Sequence, residues 1–150
     1  MASEVDVIDL LERDHRLIDE LAERLDTEDD PDEIRRLYVR IVEALTVHEE
    51  IEQEILFPAF LALVHSSSDT TLERRLGEHE ELNGLLAEMR ELDPNDYAFI
   101  KRGSALLLEV EGHFAREEDS VFARMRAECG PEVLAALGER ALLVHAQGKA

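Results

Sequence analysis

With 150 residues and 17.0 kDa, the chain is sized for one domain spanning 1–150 that can bury a full core without staples. A formal net charge of −20 and a pI of about 4.5 leave no basic surface, so neither nucleic acid nor an anionic membrane is expected as a partner. No apolar run reaches the roughly 20 residues that span a bilayer, the opening Met-Ala-Ser-Glu-Val-Asp is not a secretory leader, and the single cysteine, Cys129, cannot form an internal disulfide; a cytoplasmic protein is expected.

In chain order, the first amphipathic segment covers about 4–26, with Val7, Leu11, Ile18, Leu21 and Leu25 on one stripe. Asp30-Pro31 reads as a helix N-cap followed by proline at the first helical position. It opens a segment over 31–65 whose stripe is Ile34, Tyr38, Ile41, Leu45, Ile55 and Ala59. Ser66-Ser67-Ser68-Asp69 breaks the chain and offers Ser68 or Asp69 as a cap. The third segment, 70–92, carries Leu72, Leu76, Leu82, Leu86 and Met89. After Asp93-Pro94-Asn95, the fourth covers 95–128 with Ile100, Leu106, Val110, Val121 and Met125. Cys129-Gly130-Pro131 precedes a short tail helix over 131–146. No stretch alternates with period two, so no strand is expected. Short links force antiparallel neighbours, which predicts an all-α, up-down-up-down four-helix bundle with a short fifth helix.

Polar residues interrupt each stripe where a leucine belongs. They are His15, then His48 and Glu52, then His79, then His113 and Glu117. His48 and Glu52, and again His113 and Glu117, form His-x-x-x-Glu, a step that puts both groups on one helix face. The pattern repeats at about 64 or 65 residues, and Phe57 and Phe122 share it, each nine residues after its histidine. Depth agrees as well. His15 lies 12 residues before Thr27 and His48 lies 17 after Pro31; His79 lies 14 before Asp93 and His113 lies 18 after Asn95. At about 1.5 Å per residue, the six groups reach one layer. Two bare glutamates in a helical core are costly without cations, and imidazole with carboxylate is a transition-metal donor set. A metal site is the expectation; a proton-sharing polar network is the alternative.

Glu49, beside His48 and three residues before Glu52, is a candidate additional ligand. His65, at the end of the second helix, suits the helix dipole instead. His145, in the tail helix, is expected at most to pack over one end of the bundle, and Cys129 is an incidental thiol. Ferritin-like bundles need Glu-x-x-His on two helices; here only Glu12 with His15 fits. The second histidine of a zinc-protease His-Glu-x-x-His is a glutamate, Glu52.

His15, His48-x-x-x-Glu52, His79 and His113-x-x-x-Glu117 together resemble the hemerythrin-like, or HHE cation-binding, domains. The stretch His48-Glu-Glu-Ile-Glu-Gln-Glu-Ile-Leu-Phe-Pro58 is similar to that family's second helix. The resemblance covers residues 5 to about 126 and implies a non-haem di-iron centre. It implies further that Glu52 and Glu117 bridge two irons, with His15 and His48 on one and His79 and His113 on the other. Oxygen-carrying hemerythrins have a further histidine four residues before the one matching His79. Arg75 stands there, and it is expected to turn away toward a carboxylate, which leaves water, Glu49 or a vacancy in the histidine's place. The set is closer to the less specialised HHE proteins and to the iron-sensing F-box hemerythrin domain.

Nitrogen and oxygen donors suit Fe, Mn or Zn, and a carboxylate-bridged pair in a bundle favours Fe. The expected function is binding of, or reaction with, O2, peroxide or NO. The alternatives are a non-catalytic iron-responsive module and a zinc-stabilised structural bundle. A protein partner cannot be named from these residues.

Overall fold

The computed structural model describes residues 5–64 and 70–148, so His65 and the Ser66–Asp69 break lie outside the described residues. All the elements among the described residues are helical. The first rod is α1 (Val7–Thr27). The second is α2 (Pro31–Ile51), continued by a π-helical turn, π1 (Glu52–Leu56), into α3 (Phe57–Leu63). The third is α4 (Thr71–Glu91). The fourth repeats the build of the second, with α5 (Tyr97–Glu117), π2 (Glu118–Phe122) and α6 (Ala123–Glu128). These rods form the four-helix bundle, and a fifth helix, α7 (Pro131–Gly148), lies along α1 and α2.

Local chemistry sets the starts. The Asp6 carboxylate accepts from the Asp9 N–H at 2.8 Å and that of Asp30 accepts from the Asp32 N–H at 3.1 Å, with Pro31 at the first position where no donor is needed. The fourth rod starts two residues later than expected. The Asn95 N–H donates to the Asp93 carboxylate and the Asp96 N–H to the Asp93 carbonyl, both at 2.9 Å, which closes a turn ahead of Tyr97.

Neither π turn is visible in the periodicity. In π1 the Phe57 N–H donates to the Glu52 carbonyl, five residues back instead of four. Pro58 would clash with the carbonyl four residues before it in a regular helix, but the fourth rod carries the same feature without a proline. What the two share is a buried glutamate at the junction, Glu52 as the first residue of π1 and Glu117 as the last before π2. Each turn adds a residue and shifts the phase of the residues beyond it. Phe60, not Ala59, is therefore buried on the inner stripe of α3. On α4 the inward set is Leu72, Arg75, His79, Leu82, Leu86 and Met89, stepping three and four alternately. Arg75 thus takes the inner position expected for Leu76, which is exposed.

The apolar core falls into two clusters. One gathers Ile8, Leu11, Ile51, Phe60, Val121 and Met125 with Leu134, Leu137 and Ala141 of α7. The other gathers Ile18, Leu21, Ile41, Leu45, Leu86, Leu106 and Val110. Between them lies a layer of buried polar side chains.

Candidate metal centre

The layer brings together all the candidates: His15 from α1, His48 and Glu49 from α2, Glu52 at the start of π1, His79 from α4, and His113 and Glu117 from the end of α5, all buried. The helix period accounts for this, because each His-x-x-x-Glu pair spans about one turn and faces the bundle axis.

The donor atoms form two groups. In the first, His15 Nε2 lies 3.2 Å from both His48 Nε2 and Glu117 Oε1, and His48 Nε2 lies 3.4 Å from Glu52 Oε2. In the second, His79 Nδ1 lies against Glu49 Oε2 and 4.0 Å from Glu52 Oε1. His113 Nε2 lies 4.0 Å from the same Glu52 oxygen and 3.5 Å from Glu117 Oε2. Glu52 and Glu117 therefore each turn one oxygen toward His15 or His48 and the other toward His113. Donors about 2.1 Å from a common metal ion stand roughly 3.0–3.4 Å apart, and several of these separations lie in that range.

Hydrogen bonding explains little of the cluster. Both carboxylate oxygens of Glu49, Glu52 and Glu117, both ring nitrogens of His79, and His113 Nε2 are buried without a hydrogen-bond partner. His79 and Glu49 approach closely yet are not aligned as donor and acceptor. Each unpaired buried polar group costs about 1–3 kcal/mol, and more when charged. Three buried carboxylates converging with four imidazoles call for cations, and the donor set is one that could hold metal ions.

The outer nitrogens are supported differently. His48 Nδ1 donates to Asp14 Oδ2 at 3.0 Å, His113 Nδ1 to Glu78 Oε1 at 3.2 Å, and His15 Nδ1 to Glu118 Oε2 at 2.7 Å. A carboxylate can only accept, so each Nδ1 carries a hydrogen, and Nε2 is the nitrogen turned inward as the prospective ligand atom. Arg75 behaves as expected: its Nε lies 3.0 Å from Glu78 Oε1, and Arg116 pairs with Glu78 Oε2.

Asp14, Glu78 and Glu118 were missed in the sequence, although a signal existed. Asp14-His15 and Glu78-His79 repeat the same acid-histidine pairing 64 residues apart, and each acid supports the second histidine of its own hairpin. His145 is corrected. It does not pack over one end but reaches Asp14 Oδ1 at 3.0 Å through Nε2.

Electrostatics in the layer are strongly coupled. Burial drives His15 down to about 4. Burial also opposes the charging of His113, but the nearby carboxylates of Glu52, Glu117 and Glu49 outweigh it and push it up to about 9. Burial and the charge of Glu52 raise Glu117. For Asp14 burial pulls upward, yet the hydrogen bonds from His145 and His48 hold it at about 2.

A helical bundle with a buried histidine and carboxylate layer defines a cation-binding bundle protein. Residues 6–104 match the family model of the hemerythrin HHE cation-binding domain, and the chain belongs to that family. A protein of Nostoc sp. (strain PCC 7120 / SAG 25.82 / UTEX 2576) described as a DNA nickase is 27% identical over 129 residues, 86% of this chain and 36% of its own length. The chain thus spans about a third of that relative. The crystal structure of a hemerythrin HHE cation-binding domain-containing protein from Mycobacterium kansasii superposes with a TM-score of 0.75 at 18% identity, covering 96% of this chain and 87% of that one. That likeness concerns the fold.

Proposed function

We propose that the layer holds two metal ions, iron foremost, and that the protein binds or reacts with O2, peroxide or NO there. His15 and His48 would serve one ion, and His79, His113 and Glu49 the other, with Glu52 and Glu117 bridging. The single observation that carries this reading is the split of both bridging carboxylates, one oxygen toward each histidine group. Bound iron would supply electrons and an open position for a small ligand. The chain's own part is to orient the donors through Asp14, Glu78 and Glu118 and to keep water out with the apolar clusters on either side.

Of the alternatives, a module whose fold depends on metal is the less favoured, because two apolar clusters flank the layer and each buries many side chains of its own. No nucleic-acid role is carried over from the Nostoc relative, which is a much longer protein; a net charge of −20 opposes phosphate contact. Placement in the cytoplasm rests on the lone cysteine. No helix among the described residues is long and apolar enough to cross a membrane.

The test is metal analysis of protein expressed with iron, paired with its visible spectrum before and after O2 or peroxide. About two irons per chain with responsive near-ultraviolet bands would support the reading. Absence of iron, or spectrally silent zinc alone, would sink it.

A further inference from the structure

The tail helix delivers a side chain to the centre. Leu134, Leu137, Ala141 and His145 step along one face of α7 by three, four and four, and the first three are buried in the core. Gly138 lets α7 close on the start of α1, where an added Cβ would come within 2.1 Å of the Val5 carbonyl oxygen. At the end of this face, His145 Nε2 lies 3.0 Å from Asp14 Oδ1, and Asp14 Oδ2 takes the His48 Nδ1–H at the same distance. Both oxygens of one buried carboxylate are therefore occupied by imidazoles, one from the tail and one from the layer.

We infer that His145 is a positioning residue for the first histidine group, holding the Asp14 carboxylate in the orientation that keeps His48 Nε2 turned to Glu52 and Glu117. The counterpart carboxylate, Glu78, is held by Arg75 and Arg116 instead. His145 thus acts on one group alone and makes the two unequal. The inference rests on the two-metal reading of the layer.

The test uses the full chain and Co2+ alone. Wild type should take up two ions in separable steps. His145→Leu keeps an apolar contact on α7 and should weaken one step by about tenfold, leave the other unchanged, and shift the 15N resonance of His48 Nδ1. His145→Gln, which offers an amide N–H at similar reach and a polar side chain, should restore both the affinity and the resonance. Unchanged steps in His145→Leu would overturn the inference. So would equal weakening of both steps, or failure of His145→Gln to rescue, since either would mark a merely structural contact. A wild-type chain that takes up no Co2+ would sink the two-metal reading itself and the inference with it.

Discussion

Glu49 and Phe114 each come one residue after the second histidine of their hairpin, and they do opposite things to the first histidine of the other hairpin. Glu49 sets a carboxylate against His79 Nδ1, whereas Phe114 stacks on His15 with ring centroids 3.7 Å apart and planes at 11°. One copy of the repeat offers a donor where the other offers a ring, so the two histidine groups differ in charge although their spacing agrees to within one residue.

That difference predicts graded metal loss. Glu49→Gln should reduce the metal content from two ions per chain to one. Glu52→Ala and Glu117→Ala should abolish most of it, because each serves both groups. Glu54→Ala, on an exposed position of π1, should change nothing. Elemental analysis after gel filtration reads all four, and equal loss in the Glu54 variant would disprove the placement.

The acids behind the histidines should matter less than the ligands but measurably. Asp14→Asn and Glu78→Gln are expected to weaken metal binding about 10- to 100-fold. Competition with a chromogenic chelator measures it. An effect below twofold in both variants would show that the tautomers are fixed without them.

Protons and metal should compete. In the metal-free protein His113, pushed up to about 9, holds a proton at neutral pH that coordination must release. Metal affinity should therefore rise with pH up to about 9, and adding Zn2+ to weakly buffered protein should acidify it. The sign for stability is the reverse. A histidine raised above its usual 6.5 stabilises the metal-free fold fully below 6.5, and that stability fades as pH rises through about 9. Asp14, lowered from 3.8 to about 2, stabilises above 3.8 and loses its contribution as pH falls through about 2. Melting curves of chelated protein across these ranges check both signs.

Metal removal should lower the melting temperature without unfolding the chain at 25 °C. Each ion at about 1,000 times its Kd adds about 4 kcal/mol, which for a chain of this size corresponds to roughly 8–16 °C per ion. Far-ultraviolet circular dichroism in chelator should keep most of its helical signal, because the two apolar clusters remain packed.

The glycines give a paired test of packing. At Gly138 an added Cβ meets backbone at 2.1 Å, so Gly138→Ala should cost about 1–3 kcal/mol and loosen α7. At Gly77 and Gly84 nothing lies within 4 Å, so alanine there should stabilise by about 0.5–1 kcal/mol each. Thermal melts of the single variants separate the two cases.

Much of the centre was legible because helix periodicity turns sequence spacing into facing direction, and all of His15, His48, Glu52, His79, His113 and Glu117 interrupt apolar stripes. Caps at Asp30 and Pro31 were legible for the same local reason. The outer carboxylates were not, since Asp14, Glu78 and Glu118 look like any acid on a solvated helix until the neighbouring rods are in place. His145 was obscured because the docking of α7 depends on a close approach at Gly138, which spacing alone does not reveal. Leu76 was misplaced on the inner stripe for want of one phase choice, because the inward step from Leu72 is three residues, to Arg75, instead of four.

The π turns also bear on how this chain tolerates change in length. Links between rods can absorb inserted residues at slight entropic cost. Removing one residue between Glu52 and Phe60 would close π1 into a plain helix, and Phe60, which already sits one place beyond the position a plain helix would bury, would stay on the inner stripe. In these two stretches a one-residue deletion should therefore spare the core beyond them, whereas the same deletion in the regular helix on either side swings everything after it by about 100°.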